Sequence, residues 1–178
     1  MPQIYDHTRN QQVPEDQVLE YLQRHDVHYE FWPVDVVPED LRRQWGLTDV
    51  EKDAVLAAFG DRLNRISAER NYIARDLIVL NPNSTPNLED ILANFQRVHH
   101  HTEDEVRLIV DGEGVFTLTR GADTFSVTVT SGDLISVPAG TEHYFTLTDT
   151  RNVKAVRLFQ TKDGWAAIYK EDAAIETR

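Results

Sequence analysis

The stretch His99-His100-His101-Thr102-Glu103-Asp104-Glu105-Val106-Arg107, followed by Gly112, sets two imidazoles and a carboxylate at the spacing H-x-H-x3-E-x6-G. A second stretch answers it. Gly132-Asp133-Leu134-Ile135-Ser136-Val137-Pro138-Ala139-Gly140-Thr141-Glu142-His143 reads G-x5-P-x-G-x2-H and supplies another imidazole. On a strand, residues two apart point to the same face. His99 and His101 therefore share a face and His100 takes the other, while Glu105, Arg107 and Ile109 keep the parity of the first two. His143, Phe145 and Leu147 form a similar row, as do Val153, Ala155, Arg157 and Phe159. If these rows line one barrel interior, a metal ion, two guanidiniums and several aromatic rings meet in one pocket.

Each motif alone has a plainer explanation. A run of histidines reads equally as a solvated surface feature, and a lone His143 as a structural histidine. The two spacings together point to His99, His101, Glu105 and His143 as one ligand set. Three imidazoles and a carboxylate suit Fe(II), Ni(II), Mn(II) or Co(II), with coordination positions left open for a substrate. A buried arginine is costly unless it meets an anion. Arg107 therefore reads as a contact to an anionic substrate, the plainer alternative being a salt bridge to Asp104 or Glu103. His100 has the wrong parity and is expected to be a bystander. His7, His25 and His28 have no answering motif and are expected at the surface.

Away from these motifs the chain divides in texture. Residues 1–75 read as helical with one strand. Pro14-Glu15-Asp16 opens a helix with Val18, Leu19 and Leu22 on one side, since proline and acids suit a helix N-terminus. His28-Tyr29-Glu30-Phe31-Trp32 is aromatic-rich and reads as extended. Thr48-Asp49-Val50-Glu51 is a capping-box pattern. The helix it starts, expected to be the longest, carries Val55, Leu56, Phe59, Leu63 and Ile66 at helical spacing. Leu77-Ile78-Val79-Leu80 is a strand candidate, and Asn87 could cap a short helix through Asn94. Beyond Phe95, turn signals recur at roughly 8–12 residues, the pattern of short strands in a barrel or sandwich. The expected fold is mainly β with flanking helices, a jelly-roll or double-stranded β-helix barrel. No linker separates the halves, so one domain is expected over residues 1–178, with the helical part at about 1–75 packed on a barrel at about 76–170.

Composition narrows the partners. The chain of 178 residues is long enough for a proper core. Thirty acidic residues against 18 basic ones give a net charge of −12, which repels phosphate backbones and argues against nucleic acid. The absence of cysteine excludes disulfides and thiolate ligands and fits a reducing cytoplasm. No apolar run approaches the ~20 residues of a membrane helix. Met1-Pro2-Gln3-Ile4-Tyr5-Asp6-His7 lacks the basic and apolar parts of a signal peptide. The expectation is a cytoplasmic monomer with no nucleic-acid or membrane partner.

The two metal motifs have the spacings of the paired motifs of the cupin superfamily. Taken whole, the residues resemble the acireductone dioxygenase family of cupins, over roughly residues 49–168. The resemblance is densest in the two quoted stretches and in Ala155-Val156-Arg157-Leu158-Phe159. It implies His99, His101, Glu105 and His143 as ligands of one Fe(II) or Ni(II) per chain, Arg107 and Arg157 as active-site arginines, and Phe95, Phe145 and Trp165 as an aromatic pocket. Ala93 and Leu147 depart from the general cupin pattern, which often has Gly and Asn there; neither is a proposed ligand. The implied reaction belongs to methionine salvage: O2-dependent cleavage of 1,2-dihydroxy-3-keto-5-methylthiopentene. With Fe(II) the implied products are 4-methylthio-2-oxobutanoate and formate; with Ni(II) they are 3-methylthiopropionate, formate and carbon monoxide. Another cupin oxygenase or isomerase, or a ligand-binding cupin without enzymatic activity, are the alternative readings, because similar metal sites support several chemistries.

Overall fold

The computed structural model describes residues 1–162 and 164–173. The chain enters through β1 (Gln3–Asp6), β2 (Gln11–Gln12), α1 (Val18–Arg24) and β3 (His28–Phe31). Three helices follow: α2 (Glu39–Arg43), α3 (Asp49–Ala58) and α4 (Gly60–Arg70). Then come β4 (Ala74–Leu80), α5 (Leu88–Phe95), β5 (His99–His100), β6 (Glu105–Arg120), β7 (Asp123–Thr130), β8 (Asp133–Val137), β9 (Glu142–Leu147) and β10 (Val153–Phe159). A short β11 (Ile168–Tyr169) and α6 (Lys170–Ala173) close the described chain.

The long strand β6 belongs to two sheets. Its first half pairs with β8 and β10 in the order β3-β8-β6-β10-β4. Its second half pairs with β9 and β7 in the order β11-β5-β9-β6-β7-β1-β2. The two sheets face each other as a β-sandwich, one of the two architectures that the strand spacing predicts. The changeover falls where β6 slips register against β10: Lys154 pairs with Asp111, but Ala155 pairs with Ile109. Gly112 follows at φ +78°, and a Cβ there would lie 2.1 Å from the Asn152 carbonyl oxygen. The glycine of the x6-G spacing is thus required by both backbone conformation and close approach. The bulge also flips parity. Up to Ile109 the odd-numbered residues of β6 face the space between the sheets, and beyond it Phe116 and Leu118 do.

Two apolar layers result. Ile4, Ile109, Phe116, Leu118, Val127, Phe145 and Ala155 fill the space between the sheets, joined by Val18, Tyr21 and Leu22 of α1 and Leu88 and Leu92 of α5. Val106, Leu108, Val110, Leu134, Val156 and Leu158 cover the opposite face of the first sheet and pack on Val55 of α3, Phe59 at the junction, and Leu63 and Ile66 of α4. Alternation along β6 and β10 thus separates a site face from a helix face.

The first 75 residues hold more strand than expected. The segment β3 lies where the aromatic run predicts it. In addition β1 pairs with β7, so Gln3–Asp6 is part of the second sheet. Leu19 is 53% exposed, and Tyr21 takes its expected place in the core. The Thr48 capping box forms, with Thr48 Oγ1 accepting from the Glu51 amide and Glu51 Oε2 accepting from the Thr48 amide. The single long helix is two. Phe59, at φ −97° and ψ 8°, leaves helical geometry between α3 and α4 while its ring is buried beside Trp32. Asn87 precedes α5 in a left-handed conformation without a side-chain cap.

Glu30 ties α4 to the sheet. It accepts from Trp32 Nε1 at 2.8 Å and Arg65 Nη2 at 2.6 Å, and lies 2.9 Å from His28 Nε2. Burial works against its charge, but these hydrogen bonds outweigh burial and hold its pKa down at about 2, from 4.5. A depressed carboxylate contributes stability above its unfolded pKa and loses it as pH falls through the folded one. Wild-type stability should therefore fall between about pH 4.5 and 2. In Glu30→Gln, urea midpoints measured across that window should fall less steeply; an unchanged slope would contradict this account.

Candidate metal centre

Three strands deliver the ligand set. His99 lies on β5 and is the register partner of His143 on β9. His101 follows β5, and Glu105 opens β6. One ligand atom from each of the four side chains lies within 4.8 Å of all the others, and all four residues are buried. His100 is not part of this group, in line with its parity. The four side chains form a metal-binding site.

Backbone carbonyls fix the imidazoles. His99 Nδ1 lies 2.6 Å from the Arg97 carbonyl, His101 Nδ1 2.9 Å from that of Ala166, and His143 Nδ1 2.8 Å from that of Thr141. A carbonyl only accepts, so each Nδ1 carries the proton and each Nε2 presents a lone pair to the centre. His101 Nε2 and His143 Nε2 are both 2.9 Å from Glu105 Oε2. Lone pairs and an ionised carboxylate at that distance repel unless a cation sits among them. Two ligands at right angles, each about 2.1 Å from an ion, lie about 3 Å apart, so the donor set fits a divalent metal. Burial pushes the His99 pKa down to about 4, which favours the neutral imidazole a metal needs. Burial opposes charge on Glu105 as well, yet Arg107, His143 and His101 hold its carboxyl well below the usual range.

The other oxygen of Glu105 carries Arg107. Arg107 Nε donates to Glu105 Oε1 at 2.9 Å. The ion-pair partner is thus the ligand itself, neither Asp104 nor Glu103. Burial lowers the Arg107 pKa, and the charge of Glu105 partly offsets this. Its guanidinium sits 4.6 Å from the ring centre of Phe145 and 5.2 Å from that of Phe95. Arg107 Nη1 is buried without a hydrogen-bond partner, and so is Trp165 Nε1. Both residues line a cavity of about 270 Å³ with His99, His101, Glu105, Phe95, Phe145 and Arg157. Every residue singled out in the sequence for the site, apart from His143, lines this one space.

Asn94, Ala167 and Tyr169 also line it and carried no sequence signal. Arg157 is paired with Asp76, another residue the motifs pass over. Glu103 and Asp104 lie outside the cavity lining: Glu103 accepts from the Gln160 and Thr161 amides, and Asp104 from the Ala139 amide. His25 is not a surface residue. It is 6% exposed, with Nδ1 on the Tyr21 carbonyl and Nε2 on Asp123. His28 is half-buried against Glu30, while His7 is exposed.

Known proteins are similar to this chain. A curated acireductone dioxygenase of Bacillus thuringiensis subsp. konkukian is 46% identical over 171 residues, covering 95% of this chain and 100% of its own. One from Bacillus pumilus is 47% identical over 160 residues, covering 89% and 90%. The solved acireductone dioxygenase from Bacillus anthracis, described with a cadmium ion in its active centre, superposes with a TM-score of 0.90 at 46% identity, covering 95% of this chain and 98% of that one. The model of the ARD/ARD' family matches residues 15–167. With the cupin fold and the four-ligand centre in place, this chain belongs to the ARD/ARD' family.

Proposed function

We propose that the chain is an acireductone dioxygenase of methionine salvage, cleaving 1,2-dihydroxy-3-keto-5-methylthiopentene with O2. The observation that carries the reading is the pairing of a three-histidine, one-carboxylate centre with a buried, half-satisfied arginine in an aromatic-walled cavity. The metal, Fe(II) or Ni(II), one per chain, supplies Lewis acidity and a template for a chelating enediolate when bound. The chain's own residues do the rest. Arg107 Nη1, buried and without a partner, donates to a substrate oxygen that carries negative charge. Such a donor, preorganised in a dry pocket, acts more strongly than it would in water. Trp165 Nε1 offers another free N–H on the same wall. The rings of Phe95 and Phe145, which meet edge to face at 6.3 Å, take the methylthio tail, since sulfur contacts aromatic rings favourably. They also exclude water. Glu103 and Asp104 accept from backbone amides outside the cavity lining, so of the candidate bases a displaced metal ligand is the one at hand for the substrate's proton. The reading includes a monomeric, cytoplasmic enzyme.

Ligand roles are tested by metal content. Alanine at His99, His101, Glu105 or His143 should abolish or sharply weaken metal retention, while His100→Ala should keep it; equal loss in His100→Ala and His99→Ala would refute the assignment. Arg107→Ala should retain metal and lose about 30- to 1,000-fold in turnover, the equivalent of ~2–4 kcal/mol. Full activity with normal metal content would remove Arg107 from the reaction.

The metal should also decide the products. Stripped protein reloaded with Fe(II) should yield the oxo-acid and formate without carbon monoxide, and Ni(II) protein should release carbon monoxide. Oxygen uptake, formate and carbon monoxide are measured together. Identical products would reject metal-controlled regiochemistry, and no oxygen uptake with any divalent metal would reject the assignment.

A further inference from the structure

Arg107, Arg157 and Asp76 stand in one cross-strand row. Arg157 on β10 is the register partner of Arg107 on β6 and, on its other side, of Asp76 on β4. Register partners share a face, so two guanidiniums are set side by side at the cavity. Like charges directly opposite each other are destabilising. Asp76 supplies the compensating charge from the outer strand. Its carboxylate takes Arg157 in a fork, accepting Nε at 2.8 Å and Nη2 at 2.5 Å. This bidentate geometry fixes the guanidinium plane as well as its position. The rings of Phe159 and Trp165 flank the same guanidinium at 5.2 and 5.6 Å. Two of its nitrogens are thereby committed to Asp76, leaving Nη1 for another acceptor. Arg157 lines the cavity and Asp76 does not, so the direct contact of Asp76 with the cavity wall runs through Arg157.

We infer that Asp76 is a positioning residue for the reaction: it holds Arg157 beside Arg107 so that the pair presents a fixed, anion-accepting edge to the substrate. The inference rests on the function proposed above, in which the guanidiniums meet an anionic ligand. It adds a residue that neither metal motif contains and that sits across the sheet from both.

The test is a double-mutant cycle in the metal-loaded enzyme, with Asp76→Asn, Arg157→Ala and the double variant. The Asp76 side chain is 44% exposed on a strand that, among the described residues, pairs only with β10, so the substitution should fold with normal metal content. Asp76→Asn should raise KM about tenfold while kcat changes less than about threefold, the pattern of lost ground-state binding. Asp76→Glu should restore most of the loss. The double variant should match Arg157→Ala alone, because residues acting through one another are non-additive. Asp76→Ser carries the same expectation as Asp76→Asn and stands in if that variant fails to fold. A wild-type KM in both, or the same fold-loss with and without Arg157, would overturn the inference. Calorimetric titration with 4-methylthio-2-oxobutanoate repeats the cycle without turnover. If the wild type consumes no oxygen, the proposed function has failed; if it turns over but the cycle is additive, only the role of Asp76 has.

Discussion

The Glu105 carboxylate is the group on which the rest of the site depends. One oxygen faces two imidazole nitrogens at 2.9 Å, and the other holds Arg107 at the same distance. Both charges of the pair are buried, at 2% exposure each. Such a pair contributes little to stability, because desolvation takes back most of the Coulomb gain. The carboxylate is at once a member of the ligand set and the anchor of a cation that lines the cavity. Arg107 cannot leave the pocket without stranding Glu105 Oε1, and Glu105 cannot swing away from the imidazoles without displacing Arg107.

Parity along β6 makes this arrangement possible, and parity is legible in a sequence. Glu105 and Arg107 fall on the inner face while Val106, Leu108 and Val110 fall on the helix face, as the two-residue period requires. The same rule placed His100 outside the ligand group. The spacing motifs were equally legible, because ligand geometry is set within a few residues of each strand. The limits of local reading show in the same strand. The register slip before Gly112 reverses which residues face inward, and Phe116 and Leu118 enter the core only because of it.

What escaped the sequence shares a cause: it depends on partners far along the chain. Asp76 pairs with Arg157 across 81 positions. His101 is oriented by the carbonyl of Ala166, and a carbonyl leaves no mark on residue identity. Lys154 is another case. It sits on β10 fully buried, where Nζ donates to the carbonyls of Leu41, Arg42 and Gln44 at the end of α2. Read locally it breaks an apolar strand; in three dimensions it satisfies carbonyls that a helix end leaves open. His25 was misread for the same reason, since Asp123, its partner, lies 98 residues away.

The late segment of the chain shows how local and distant terms combine at the site. Ala166 orients His101, while Trp165 and Tyr169 line the cavity, all within a few residues of one another. This stretch is fixed by the long-range pairing of β11 with β5, the strand that carries His99. Arg97, whose carbonyl orients His99, lays its guanidinium 3.7 Å over the Tyr169 ring. The stretch around β11 therefore both orients an imidazole of the ligand set and lines the cavity, while the stretch before β5 orients another imidazole and packs on Tyr169. A shift of β11 along β5 would move the cavity wall and the acceptor of a metal ligand together. The orientation of the imidazoles and the shape of the cavity are consequently coupled through β5 and β11, so Ala166 and Arg97, which offer no ligand atom, help to set the geometry of the centre.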